Sequence, residues 1–347
     1  MESPPRGWAR RTGILAVNVL DLPKEIRQIR LPMPDNPLRH INSYLIKADD
    51  GYVLVDCGWD LPEVLEALQE ALKDHDVALG DVRRLVVTHY HADHYGMAGR
   101  LVGLGQLRLL MHRLDWLYVR DNLADLPGYG RLSNAWLQRN GFDESLGEAD
   151  REAFASLGRF TVVQPDQELE DADEIGVGRH SWRVVWTPGH TPGHICLFDP
   201  ERRVLISGDH VFDPITPNVS LWHGDAGNPL GQFLQSLRRV AALDADLVLP
   251  AHGEPFVGLR RRVDELLVHH DEREAAVLDA LGNRTITAAE VAASIPWTRR
   301  RRSFHDLPVL QQRMALSETL SHLEELRAHG RVRRSEDGHH LYYARHP

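Results

Sequence analysis

The chain has 347 residues, more than one hydrophobic core usually organises, so a large domain with a smaller companion is expected. Its 42% hydrophobic and 26% charged residues are those of a globular protein, and its net charge of −10 argues against a surface given over to nucleic acid. No run approaches the roughly 20 apolar residues of a membrane span. Asn18 and Asp21 break the apolar run after Arg10 and Arg11, and no small-residue cleavage site follows it. With Cys57 and Cys196 far apart in strand-like runs, the expectation is a cytoplasmic protein with two buried free thiols.

From His40, HINSYLIKADDGYVLVDCG predicts two strands around an Asp-Asp-Gly turn. Asp60 and Pro62 then open a helix that sets Leu61, Val64, Leu65, Leu68 and Leu72 on one face. RRLVVTH is an apolar strand too short for a helix, Gly96 to Leu104 predicts a helix, and QLRLLMH predicts another strand. Residues 113–158 change character, with Trp116, Tyr118, Tyr129, Trp136, Phe142 and Phe154 scattered among polar residues, and predict a helical insertion. SWRVVWT, HICLFD and RVLISGD are strands separated by turn residues, and DADLVLPAHG again runs a strand into a histidine.

From about Asp271 the composition shifts. Thr287 and Glu290 form a capping box, a helix runs through Leu316, Leu320, Leu323 and Leu326, and Gly330 stops it. RVRRSEDGHHLYYAR predicts a hairpin around Asp337-Gly338. Helix, helix and two-stranded wing make a winged-helix pattern, dividing the chain into residues 1–265 and 266–347.

The chemistry concentrates in VVTHYHADHYG, where His89, His91, Asp93 and His94 follow a strand. Their spacing of i, i+2, i+4 and i+5 fits no single helical face, but a loop can split them between two ions. Imidazole and carboxylate suit zinc and similar divalent cations without thiolate.

THYHADH resembles the signature of the metallo-beta-lactamase superfamily, and the rest of its pattern follows in order: TPGHTPGH, LISGDHVF and LPAHG, with VLVDCG before them. The resemblance covers roughly His40 to Gly258. It implies an α/β, four-layer αββα sandwich, here with the insertion as a lid and the winged helix appended. It also implies His89, His91 and His190 on one metal, Asp93, His94 and His252 on a second, and Asp209 bridging them. Zinc is the first expectation for both ions, with manganese and iron also compatible. A metal-bridging hydroxide would be the nucleophile, Asp93 and Asp209 would be catalytic, and Asp56 would position the histidine loop.

Of the two histidines in TPGHTPGH, the family pattern places the ligand at His190, and His194 already leads the next strand. His210 follows Asp209 and is expected on the other side of an extended backbone. Tyr90 and Tyr95 either donate to a substrate oxygen or pack; Trp222 and His223, in the loop after Asp209, would line the mouth. His112, His180, His269, His270, His339 and His340 lack a partnered motif and are expected at the surface.

Three functions compete. The first is hydrolysis of a small ester-type substrate, a thioester, lactone or carboxylic ester, with the aromatic insertion gripping the acyl group. The second is an endoribonuclease or phosphodiesterase of the winged-helix type. Against it, residues 271–347 carry 12 Arg and 11 Asp plus Glu, too balanced for a phosphate-binding footprint, and only 61 residues separate His190 from His252. The third is a DNA-binding regulator with a degenerate enzyme domain, disfavoured by the complete ligand set. The winged helix is instead expected to be a structural cap or dimerisation element that contributes to the active-site rim.

Overall fold

The predicted turn at Asp49-Asp50-Gly51 starts the first sheet. It joins β2 (His40–Ala48) to β3 (Gly51–Val55) as an antiparallel hairpin, with β1 (Ile26–Pro32) antiparallel to β2 on its far side. The computed structural model describes residues 22–105, 107–143, 161–178, 180–224, 227–297 and 302–346. Helix α1 (Pro62–Asp74), with Pro62 in its first turn, carries the chain to β4 (Val82–Val87), which lies parallel to β3. The short helices α2 (Ala92–Tyr95) and α3 (Ala98–Leu104) lead to β5 (Arg108–His112), and β6 (Gln167–Leu169) completes six strands in sequence order.

The second sheet runs β12-β11-β10-β9-β8-β7. Its strands are β7 (Glu174–Val177), β8 (His180–Trp186), β9 (Ile195–Asp199), β10 (Val204–Gly208), β11 (Leu247–Pro250) and β12 (Phe256–Val257). Strand alternation decides the layers. Tyr44, Ile46, Val53, Val55, Val86 and Leu110 of the first sheet share a core with the second sheet's Val184, Leu197, Val204 and Ile206. The opposite faces bury against helices. Leu45, Leu54, Leu85 and Leu109 pack with Val64, Leu68 and Leu72 of α1. Phe198, Leu205 and Val248 pack with Phe233 and Leu237 of a helix at Pro229–Ala241 and with Val263 of a helix at Leu259–Leu281. The order is helix, sheet, sheet, helix.

Residues 113–139 form α4 (Arg113–Tyr118), a π-turn at Val119–Leu123 and α5 (Leu126–Arg139). Phe154 and the rest of the predicted insertion from 144 to 158 lie outside the described residues. The helices at Pro229–Ala241 and Leu259–Leu281 are α6 and α7. The boundary expected between residues 265 and 266 falls inside α7, which is continuous. Its first half packs on the second sheet, and Val277, Leu278 and Leu281 of its second half belong to a separate core.

That core is built by α8 (Ala288–Ser294), α9 (Val309–Ala328), β13 (Val332–Glu336) and β14 (Leu341–Arg345). Thr287 caps α8 through the predicted box with Glu290, and Ile286 pairs with Tyr343 beside the hairpin. Leu137, Phe142 and Leu221 from outside this unit insert into the same core. Helix α9 is buried on nearly every side from Gln312 to Leu326, because α6, α7 and α8 all pack against it. Among the described residues no helix is long and apolar enough to cross a membrane.

Candidate metal centre

The C-terminal ends of β4 in the first sheet and of the parallel pair β10 and β11 in the second deliver Thr88–His94, Asp209 and His252 to one site, and the β8–β9 loop adds His190. There His89 Nε2 and His91 Nδ1 lie 3.0 Å apart, and His190 Nε2 lies 3.2 and 3.0 Å from them. Three nitrogens on one tetrahedral zinc, each at about 2.0–2.1 Å, would stand about 3.3 Å apart, so this triangle is close to a ligand set already assembled. A second group joins Asp93, His94 and His252, with Asp93 Oδ2 3.3 Å from His252 Nε2 and 3.7 Å from His94 Nε2.

Asp209 stands between the groups. Its Oδ2 is 3.5 Å from His190 Nε2, while its Oδ1 is 3.4 Å from His94 Nε2 and 3.5 Å from His252 Nε2. His94 Nε2 and Asp209 Oδ1 are buried with no hydrogen-bond partner among the described residues. A buried polar atom without a partner costs on the order of 1–3 kcal/mol, and a cation between these groups would remove that cost. The donor set therefore fits divalent metal ions.

Neighbouring groups fix the imidazoles. His94 Nδ1 donates to Asp56 Oδ2 at 2.8 Å, and Asp56 also accepts from the Thr88 N–H and hydroxyl. His190 Nδ1 donates to the Asn218 carbonyl at 2.7 Å. In both rings this leaves the Nε2 lone pair aimed at the centre. Burial, with the like-charged neighbouring histidines, holds His89 well below the ordinary histidine range. Burial likewise lowers His91, to about 3, and His190, although Asp209 partly opposes it in both. These rings are neutral and able to bind metal. Burial also lowers His94 and His252, but Asp56, Asp209 and Asp93 around the first, and Asp209 and Asp93 around the second, outweigh it and raise both. Asp93 falls to about 2 because His94 and His252 outweigh its burial.

Residues 36–252 match the family model of the metallo-beta-lactamase superfamily. The chain belongs to that superfamily. It is 27% identical over 328 residues to the probable metallo-hydrolase YqjP of Bacillus subtilis (strain 168), spanning 92% of this chain and 98% of that one. A crystal structure of a metallo-beta-lactamase family protein from Thermus thermophilus is 32% identical, covers 92% of this chain and 98% of its own, and superposes with a TM-score of 0.76. A beta-lactamase domain protein from Burkholderia ambifaria is 30% identical, covers 96% of each chain and superposes with a TM-score of 0.82. This metallo-beta-lactamase superfamily member is thus an enzyme with hydrolase homologues.

The centre opens into a cavity of about 420 Å³ with His91, Asp93, His190, Asp209 and His252 at its floor. Tyr90 lines it, its ring stacked on Tyr118 at 4.4 Å, and Trp222 lines it as well. Tyr95 does not reach it. That hydroxyl accepts from the Val163 N–H and donates to the Val163 carbonyl, which places the ring in the core. His223 lies instead in a neighbouring cavity of about 530 Å³ with Trp136, Arg139 and Arg327. His194 stands apart from these groups: its Nδ1 donates to Thr187, and its Nε2 accepts the Asp209 N–H at 3.0 Å, so it orients the backbone of Asp209. Gly208 permits this contact, since a Cβ there would come within 2.7 Å of His194 Nε2. His210 is buried against Phe233 rather than solvated. His112, His180 and His270, expected at the surface, are buried too.

Asp115 escaped the sequence reading. Fully buried, it accepts from the Tyr90 N–H and the Thr191 hydroxyl through Oδ2, and from the Gly193 N–H through Oδ1, tying the two ligand loops together. An acidic residue after a histidine-ended strand was the only signal. Leu310 and Met314 of α9 also line the cavity, which nothing local to those residues foretold.

Proposed function

We propose that the protein is a dinuclear metal-dependent hydrolase of a small ester-type substrate, a thioester, lactone or carboxylic ester. The observation that carries it is Asp209, whose two oxygens face two separate groups of nitrogens across a cavity floor. Two divalent cations bound there, zinc by the fit of the nitrogen and carboxylate donors, would acidify a water to a pKa of about 7 and stabilise a developing oxyanion. His89, His91 and His190 would hold one ion, and Asp93, His94 and His252 the other. Asp93, at the cavity floor, would also hydrogen-bond the attacking hydroxide and orient it. Tyr90 and Trp222 bound the space a substrate would fill.

The C-terminal unit we read as a winged-helix fold serving the enzyme, with the chain divided within α7. The order of α7, the Ile286 bridge, α8, α9 and the hairpin supports that reading. A nucleic-acid reader needs its recognition helix exposed. Helix α9 instead buries Glu324 and Glu325 and turns Leu310 and Met314 to the cavity.

Metal content by plasma mass spectrometry, measured beside turnover of esters, thioesters, lactones and a structured RNA, tests the proposal. About two metals per chain, with ester turnover lost in Asp209→Ala, is the expected result. Metal-free protein, or RNA cleavage without ester turnover, would overturn it.

A further inference from the structure

The cavity over the metal centre is unusual in what its walls lack. Among the described residues, no side chain lining it carries a charge beyond those of the metal-centre cluster itself. The walls are aromatic and aliphatic: Trp59, Tyr118, Leu123, Tyr129, Phe212 and Ile215 are among them. The uncharged polar groups among the described lining are Asn36, Thr216, Asn218, the indole N–H groups of Trp59 and Trp222 and the tyrosine hydroxyls, of which those of Tyr118 and Tyr129 bond one another at 2.8 Å. Asn218 turns its carbonyl to His190 and its amide to Glu318.

Charge this scarce has a chemical consequence. A substrate bearing a phosphate, or a carboxylate remote from the reacting bond, would lose water on entering and find no guanidinium or ammonium to replace it. An alkyl or aryl group loses nothing and gains by burial. The far wall decides how long that group is. Leu310 and Met314, one helical turn apart on α9, face the centre from the C-terminal unit, and Met314 is also 37% exposed at the mouth. A methionine adapts its shape to the chain it meets.

We propose that this site takes substrates whose non-reacting part is an uncharged alkyl or aryl group, and that Leu310 and Met314 set the length it accepts. The inference deepens the ester-hydrolase reading and rests on it for the reaction, but not for the binding. Carriers with phosphates, such as coenzyme A, and acyl groups ending in a carboxylate are disfavoured by the same walls.

The experiment has a kinetic and a binding arm, both on the full metal-loaded chain. In the first, kcat/KM is measured for p-nitrophenyl acetate, butyrate, hexanoate and octanoate, and for the octanoate analogue ending in a carboxylate. Each added methylene is expected to raise kcat/KM up to about fourfold until the wall is met, with the change in KM. The carboxylate-ended ester is expected to fall at least tenfold below octanoate. Met314→Lys supplies the missing cation at a position exposed enough to fold with it. It is expected to invert that preference, with thermal unfolding and metal content those of the wild type. Leu310→Ala should move the optimum to longer chains.

In the second arm, saturable quenching of Trp59 and Trp222 fluorescence by 1-octanol, but not by octane-1,8-dioate, reads binding without turnover. Octanol binding with no ester turnover supports the apolar cavity and sinks the ester reading alone. A flat chain-length series, preference for the carboxylate-ended ester in the wild type, or absence of octanol binding overturns the inference.

Discussion

Asp56 carries the clearest residue-scale argument. Its backbone sits at φ 59°, in the left-handed region that asparagine and aspartate tolerate and alanine resists. Asp56→Asn therefore keeps the backbone while replacing one acceptor oxygen by an NH2 donor. His94 loses the carboxylate that fixes its Nδ1–H and aims Nε2 at the centre. Such partners are worth about 10–100-fold in metal affinity. The expected outcome is loss of that order for the ion that Asp93, His94 and His252 would hold under the proposed assignment, measured by competition with a chromogenic chelator, with urea unfolding of the metal-free protein little changed. Equal loss at both metals would contradict the assignment. At this scale the gathering of the His and Asp cluster was legible, because four of its members lie within six residues and the others close recognisable strand-ending motifs. Asp115 was not: its partners Tyr90, Thr191 and Gly193 reach it from 25, 76 and 78 positions away, and nothing local encodes their meeting.

Elements were legible where a local rule decides them. The hairpin turns, the Pro62 start of α1 and the Thr287 capping box follow from backbone preferences that hold in any context. What periodicity did not reveal is which helix is covered. Helix α9 is sandwiched between α7 and the other helices, and its His322 faces His270 of α7 with ring centroids 5.4 Å apart. Around the pair stand His269 and Arg273 of α7, Phe233 of α6 and Glu318 of α9. Burial first, then the neighbouring histidines and Arg273, push His270 down to about 3 and His322 well below the usual range. Folded-state values below the unfolded one of about 6.5 mean that the unfolded chain binds more protons, so stability is full above about pH 6.5 and declines as pH falls from there toward about 3. Each histidine is expected to cost about 1 kcal/mol per pH unit over that window. Urea unfolding at pH 7.5 and 5.5 should show the decline, and the double variant His270→Gln, His322→Gln should make it shallower, since the other buried histidines keep their share. A decline of the same steepness in the variant would place its origin elsewhere.

Over the whole molecule, the question is whether the last 66 residues are a passenger. The sequence suggested a winged helix serving as a cap, since composition and periodicity change near Asp271. What that pattern could not convey is that the first 281 residues lack a surface of their own here. Leu137, Phe142 and Leu221 insert into the C-terminal core, the Leu221 N–H donates to the Ser317 carbonyl, and Asn218 is held by Glu318 while its carbonyl holds His190. Three large apolar side chains left in water cost on the order of 5 kcal/mol, against a typical net stability of about 5–15 kcal/mol. A chain ending at Leu281 is therefore expected to aggregate or unfold well below the full-length midpoint. Should enough remain soluble, the ligand most affected should be His190, whose partner loop is then unsupported, so the metal it shares with His89 and His91 is expected to dissociate first. Thermal unfolding with metal analysis of the truncated chain decides it. A soluble truncate that keeps both metals and the full-length midpoint would make the C-terminal unit an independent module, and would remove α9 from the active-site wall.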